Sequence, residues 1–295
     1  MGTILFYLFY AIIWVLAWLP LGVLYIFSDL FYILVYHIVR YRRKMVRKNL
    51  TNAFPTYSKK EIKKIEKKFY LHFCDLFFET IYLMHISEKE MRKRLKFNNV
   101  ELVDEWLKDG RSFIFMLGHY GNWEWITSIR LYVDDWSVLG GEVYKQLKNK
   151  HFNDFFLKLR SRFRTINIEM KQVYKAILEC KEQGRYYALG FISDQSPSKR
   201  SIYLWKDFLN QDTAFIGGGE RIAKKTKAGL VYFDMHKIKR GYYECDIVEM
   251  CKDASETADY EMTNLYADML EKTILRDPAY WLWSHNRWKL KHKKD

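Results

Sequence analysis

Ser112-Phe113-Ile114-Phe115-Met116-Leu117-Gly118-His119-Tyr120-Gly121-Asn122-Trp123-Glu124 decides how the chain is read. The run from Ser112 to Leu117 has the length and apolar content of a buried strand, and Asn122 to Tyr132 reads as a helix. Between them lie a His and two Gly residues, which give the backbone freedom for a tight strand-to-helix turn. In a continuous helix five residues turn through roughly 500°, which would set His119 and Glu124 about 140° apart. The two meet only if His119 lies in the turn and Glu124 in the first helical turn. There a carboxylate can hold one imidazole nitrogen, fix the tautomer and raise the basicity of the other. The free nitrogen then takes a proton from a substrate hydroxyl, while main-chain N–H groups at the helix start stabilise an oxyanion. The bland alternative is a structural His at a strand end. No G-x-S-x-G elbow competes with the pair, so direct transfer without a covalent intermediate is the simpler expectation.

Working outward, Val138-Leu139 reads as a weak strand and Tyr186 to Ile192 as a buried one. Leu230 to Met235 and Tyr242 to Val248 alternate like strands paired antiparallel across Lys239-Arg240-Gly241. Helices are expected over Lys145 to Arg162, over Met170 to Glu182 with Gly184 as the stop, and over Tyr260 to Leu275 with Asp277-Pro278 beyond. Upstream, Ser58-Lys59-Lys60-Glu61 has capping-box spacing and opens a long amphipathic helix, and Ser87 to Glu90 opens a short one. Strands alternating with helices indicate an α/β fold with a mixed central sheet, preceded by a helical N-terminal part.

The 295 residues carry 49 Lys+Arg against 35 Asp+Glu, a net charge of +14, and are 49% hydrophobic and 18% aromatic. That composition supports a sizeable core and excludes disorder. The mean hydropathy of −0.31 conceals an asymmetry, because residues 4–28 contain no charged residue. The segment is long enough to span a bilayer and lacks the basic start and cleavage site of a signal peptide. Pro20 and Gly22 kink or break it, which allows a span followed by an interfacial helix over Leu30 to Val39. Residues 40–48 then bring six cations in nine positions. By the positive-inside rule they keep the rest of the chain cytoplasmic. The expected organisation is a membrane anchor over 1–39 and a cytoplasmic-face domain over 40–295. The competing arrangement is a hairpin buried under a soluble domain. Directly after a membrane segment, lipid phosphates are nearer anions than nucleic acid, so no nucleic-acid partner is expected. Four dispersed cysteines without a CxxC pair suit a reducing compartment. No metal site is expected, since His151 and His236 lie in different elements and no HExxH is present.

His119-Tyr120-Gly121-Asn122-Trp123-Glu124 resembles the H-x-G-N-W-E block of the bacterial lipid A biosynthesis acyltransferases, the late lauroyl/myristoyl transferases, whose superfamily includes the glycerolipid acyltransferases. Val143-Tyr144-Lys145-Gln146-Leu147-Lys148-Asn149 resembles the V-Y-R-x-L-x-N block, with Lys145 where Arg is usual. Ser193-Asp194-Gln195-Ser196-Pro197 resembles the D-Q segment. Phe208-Leu209-Asn210-Gln211 with Gly219-Glu220-Arg221-Ile222-Ala223 resembles the F-x-G…R-x-A block, with Asn210 replacing Gly. Trp281-Leu282-Trp283-Ser284-His285-Asn286-Arg287-Trp288-Lys289 resembles the closing signature. Five blocks in order cover essentially the whole chain.

The resemblance implies a glycerolipid-acyltransferase-like fold and acyl transfer from acyl–acyl carrier protein to a hydroxyl of a lipid A precursor, at the bacterial inner membrane. It implies His119 as base with Glu124 as partner, and Lys145, Asn149, Asp194, Gln195 and Arg221 as substrate-binding positions, with no cofactor. Lys145 and Arg221 would grip acceptor phosphate or developing negative charge, although Lys lacks the bidentate geometry of Arg towards phosphate. From the residues alone, Lys145 also reads as a solvated helix start, Asp194 as a helix N-cap and Arg221 as a surface pair with Glu220. The net charge of +14 matches an acidic carrier protein and a phosphorylated lipid. The tail Lys289 to Lys294 faces either one or solvent. Trp281 reads as core and Trp288 as interfacial. One alternative keeps the chemistry and changes the acceptor, to an amino-acid lipid or glycolipid. Another is a non-catalytic, membrane-tethered lipid-binding module.

Overall fold

The computed structural model describes residues 3–133 and 138–292. The apolar run Phe113–Leu117 is β2 of a seven-stranded sheet in the order β1-β9-β8-β2-β5-β3-β4, with β1 Leu95–Asn98, β3 Leu139–Tyr144, β4 Ile166–Glu169, β5 Tyr187–Ile192, β8 Gly229–Lys239 and β9 Tyr242–Cys251. Within this sheet, among the described residues, only β8 and β9 pair antiparallel, joined across Arg240-Gly241, so the sheet is mixed as expected. All five residues of β2 are buried, as suits a central strand covered on both faces. Separately, β6 Leu204–Phe208 and β7 Gln211–Phe215 form a two-stranded hairpin. Its turn residues Leu209 and Asn210 have φ of +52° and +57°. Asn tolerates that left-handed geometry, which explains how it stands where Gly is usual.

Among the described residues ten α-helices surround the sheets: α1 Thr3–Leu16, α2 Leu21–Tyr32, α3 Arg43–Ala53, α4 Lys59–Tyr82, α5 Glu88–Arg94, α6 Glu101–Lys108, α7 Lys150–Arg160, α8 Val173–Glu182, α9 Gly218–Thr226 and α10 Glu261–Arg276. The long α4 begins at the expected capping box, where Ser58 Oγ accepts from the Glu61 N–H at 3.3 Å and Glu61 Oε2 accepts from the Ser58 N–H at 2.7 Å. The expected helix over Lys145 to Arg162 starts later. β3 runs on to Tyr144, a loop follows, and the Asn149 carboxamide caps α7 by accepting from the Phe152 N–H. Lys145 is therefore an exposed loop residue rather than a helix start.

The N-terminal apolar segment is two helices rather than one, broken at Pro20, whose missing N–H suits the start of α2. Beyond α2 the chain continues as a π-helical turn, Ile33–Ile38. Leu21 to Ile38 is, among the described residues, the one helix long and apolar enough to cross a membrane. One face of it is fastened to α4: Tyr25 donates to Glu79 at 2.7 Å, Ser28 to Asp75 at 2.8 Å and Tyr36 to Glu66 at 3.0 Å. Asp29, inside this segment, pairs with Arg240 at 2.6 Å. The opposite face, α1 and the turn after it expose Ile12, Val15, Trp18, Ile26 and Leu30. Part of the basic run also turns inward, since Arg43 and Arg47 both pair with the buried Glu66 and Arg42 donates to the Ser284 carbonyl. Of the basic tail, Lys293 and Lys294 lie outside the described residues.

Candidate active site

β2 and β5 run parallel in a register that sets Leu117 beside Ile192. Two residues past each partner come His119 and Asp194, so the carboxyl ends of two neighbouring central strands bring them together, where open α/β sheets place their ligands. Asp194 is 3% exposed and its carboxylate accepts three hydrogen bonds. Oδ1 takes His119 Nδ1–H at 2.6 Å, and Oδ2 takes the His119 main-chain N–H at 2.8 Å and Trp281 Nε1–H at 2.8 Å. Burial by itself would raise the Asp194 carboxyl, but the adjoining His119 and these donors outweigh it and hold it down at about 2. An ionised carboxylate only accepts, so Nδ1 carries the imidazole proton and Nε2 keeps its lone pair. The Gln195 amide lies 3.2 Å from that Nε2.

The turn needs its two glycines for different reasons. Gly121 has φ +59°, in the left-handed region, and a Cβ there would sit 2.5 Å from Met235 Cγ. At Gly118 a Cβ would lie 2.5 Å from a Leu270 methyl and 3.4 Å from Asp194 Oδ2. The helix that follows, Trp123–Leu131, is wound as a 3₁₀-helix, and Asn122 Oδ1 caps it by accepting from the Trp125 N–H at 3.2 Å. The closing segment lies over the turn, with the Leu282 N–H donating to the His119 carbonyl and the Gly121 N–H to the Tyr280 carbonyl. Nearby, His285 Nε2 accepts from the Ser196 N–H, and burial depresses this imidazole to about 4.

Glu124 does not hold the imidazole, which corrects the expectation from spacing. Its carboxylate is gripped by both arms of Arg160 of α7, at 2.8 and 2.9 Å, and Arg160 also stands 3.3 Å from Glu142 of β3. Two carboxylates sharing one guanidinium separate in acidity. Burial would raise Glu124, but Arg160 pulls it below its ordinary value. Burial lifts Glu142 to about 7, with Glu124 adding and Arg160 opposing. Arg160 and Glu142 were not legible in sequence, because neither stands in a local pattern and they meet only when α7 packs beside β3.

A cavity of about 910 Å³ opens beside His119, with Glu124, Glu142, Arg160, Lys145 and Gln195 on its wall. Val103, Leu107, Ile126, Val133 and Phe191 make much of the remainder apolar. Two expected substrate residues lie elsewhere. The Asn149 side chain is taken up in capping α7, and Arg221 is exposed on α9; neither is among the cavity-lining residues. Arg221 does not pair with Glu220 either. That carboxylate is buried and accepts from the main chain and hydroxyl of Thr263. Trp281 is core as expected, whereas Trp288 is partly buried and donates to Thr213 on the β6–β7 hairpin at 2.7 Å. Among the described residues, Asp234, His236 and Asp246 have ligand atoms within 4.8 Å of one another. Arg276 and Thr273 already occupy Asp234, and His236 donates to Asp246 at 2.9 Å, so an internal ion-pair cluster accounts for them.

An imidazole oriented by a buried carboxylate and facing an apolar cavity suits removal of a proton from a hydroxyl brought beside a bound long chain. That chemistry agrees with comparison to known families, where the model described as bacterial lipid A biosynthesis acyltransferase matches residues 1–290. No curated protein matches the chain. With that match running over nearly every residue, the chain belongs to the bacterial lipid A biosynthesis acyltransferase family and is an acyltransferase.

Proposed function

We propose that the protein moves a fatty acyl chain from acyl–acyl carrier protein to a hydroxyl of a lipid A precursor, by direct attack without a covalent intermediate. The observation that carries this reading is the His119 imidazole, held at Nδ1 by the buried Asp194 carboxylate at 2.6 Å with Nε2 beside an apolar cavity. Nε2 takes the proton of the acceptor hydroxyl, and its oxygen attacks the thioester carbonyl carbon. The tetrahedral oxyanion collapses, the C–S bond breaks, and the departing sulfur takes the proton back from the imidazolium. Asp194 steadies the imidazolium while it exists. The Glu124–Arg160 pair borders the same cavity, so its Glu124 carboxylate adds to that stabilisation and Arg160, with Lys145, offers positive charge towards the oxyanion or an acceptor phosphate. The Gln195 amide orients against the Nε2 face.

Residues 1–39 anchor the enzyme in the inner membrane, with the rest on the cytoplasmic face. Supporting this are the apolar exposed side of the N-terminal helices and the cations that follow, of which Lys44 and Lys48 remain exposed. The test is turnover by detergent-extracted protein. Acyl carrier protein thioesters of several chain lengths are combined with a tetra-acylated lipid A precursor, and product mass is compared between wild type and His119→Ala. A gain of one acyl group, lost in the variant, is expected. Full activity in His119→Ala refutes the assignment of the base, and thioester hydrolysis without acyl-lipid product redirects the search to another acceptor.

A further inference from the structure

Direct transfer requires both lipid chains at the site at once, because no acyl-enzyme stores the first while the second arrives. Resting on the acyltransferase reading above, we propose that the enzyme divides them between two apolar sites. The large cavity beside His119 takes the donor chain. A separate groove under the N-terminal hairpin takes the fatty acyl chains of the lipid acceptor.

This second cavity has a volume of about 530 Å³. Its walls include Ile13 of α1, Leu34 just beyond α2, Phe73 and Phe77 of α4, and Phe152 and Phe155 of α7. Polar groups on it are few and mostly occupied: the Thr80 hydroxyl donates to the Leu76 carbonyl at 2.7 Å and Glu124 is bound by Arg160. Such a surface recognises hydrocarbon, because each methylene it removes from water favours binding.

The inner end of the groove points to a substrate rather than a bystander lipid. Trp123, Glu124 and Phe156 line both cavities. The Trp123 ring meets the His119 imidazole edge-to-face, with centroids 5.2 Å apart. A chain lying in the groove therefore ends one aromatic ring from the base. At its outer end, Leu34 and Phe77 are 43% and 39% exposed and continue into the exposed apolar face of Leu30 and Ile33. An acceptor can pass from a bilayer into the groove without its chains crossing water.

The test fills or widens the groove at these two half-exposed positions, where added bulk does not disturb the core. Leu34→Trp is expected to raise KM for the tetra-acylated lipid A precursor about tenfold and to weaken binding of that lipid alone, measured without donor, by the same factor. Donor KM and acceptor-free thioester hydrolysis should not change. Phe77→Ala is expected to shift preference towards acceptors with longer chains. An unchanged acceptor affinity in both variants overturns the proposal, and so does a raised donor KM with the acceptor unaffected, which would give the groove to the donor. Equal competition by a phospholipid of matching chains would also overturn it, assigning the groove to bilayer lipid. Because acceptor binding is read without turnover, these results stand apart from a failure of wild type to transfer acyl groups.

Discussion

Asp194→Asn is the most discriminating perturbation of this site, because it separates the geometry from the spacing of the H-x4-E pair. The variant keeps shape but replaces an acceptor-only carboxylate by a group with one oxygen and one NH2. Three donors converge on Asp194, namely the His119 main chain, His119 Nδ1 and Trp281 Nε1. The carboxamide can satisfy those on one side only, and an NH2 facing Nδ1 drives the imidazole proton to Nε2. The base is then unable to accept a proton. The same replacement in a serine protease triad lowers kcat about 10⁴-fold through the wrong tautomer, and a loss of roughly 10³–10⁴ is expected here. Stability carries a second signature. The Asp194 carboxyl falls from 3.8 to about 2 on folding, equivalent to about 2 kcal/mol. An acid held down in the folded state stabilises above its unfolded value and loses that contribution as pH falls towards 2. The unfolding free energies of wild type and variant should therefore differ at pH 7 and converge below pH 4. The assay is acyl-lipid formation followed by mass, with denaturant unfolding across pH. Activity of Asp194→Asn within tenfold of wild type, alongside complete loss in Glu124→Gln, would refute the reasoning and return the imidazole to Glu124.

Glu142 has the opposite sign. An acid lifted from 4.5 to about 7 costs nothing below 4.5 and its full penalty above 7, at most about 3 kcal/mol. Glu142→Gln should accordingly gain stability over wild type as pH rises from 4.5 to 8, and a pH-independent difference in urea unfolding would contradict this. Glu79, fully buried, accepts from Tyr25, Asn122 and Tyr243, so Glu79→Leu strands three donors and should cost about 3 kcal/mol or more by urea midpoint. Since Asn122 caps the helix after the turn, activity should fall with it, and a variant as stable as wild type would remove the network from the account. Gly121→Ala meets both a positive φ and Met235 and should cost about 1–3 kcal/mol, read from the unfolding transition, with a loss of turnover.

How much could be read without coordinates depended on whether a feature was local. The long helix was legible because Ser58 and Glu61 satisfy each other within one turn. The β8–β9 pair was legible because alternation and a Gly-containing turn lie in one stretch. The four-residue strands β1 and β4 went unread, since so short a run acquires meaning only from parallel neighbours far along the chain. Asn210 as a left-handed turn residue was visible only as a departure from Gly.

By itself, the sequence determined the central strand, the Gly-flanked His119 after it, the family and the apolar N-terminal segment with its break at Pro20. These are written in residue type and near spacing, which sterics and hydrophobic periodicity translate directly. Tertiary structure decided which carboxylate serves His119. The β2–β5 register carries Asp194 to Nδ1 across 75 positions of chain, while α7 brings Arg160 to claim Glu124. Hydrogen bonds of under 3 Å between strand ends and helices depend on register and packing, which no local pattern of side chains encodes.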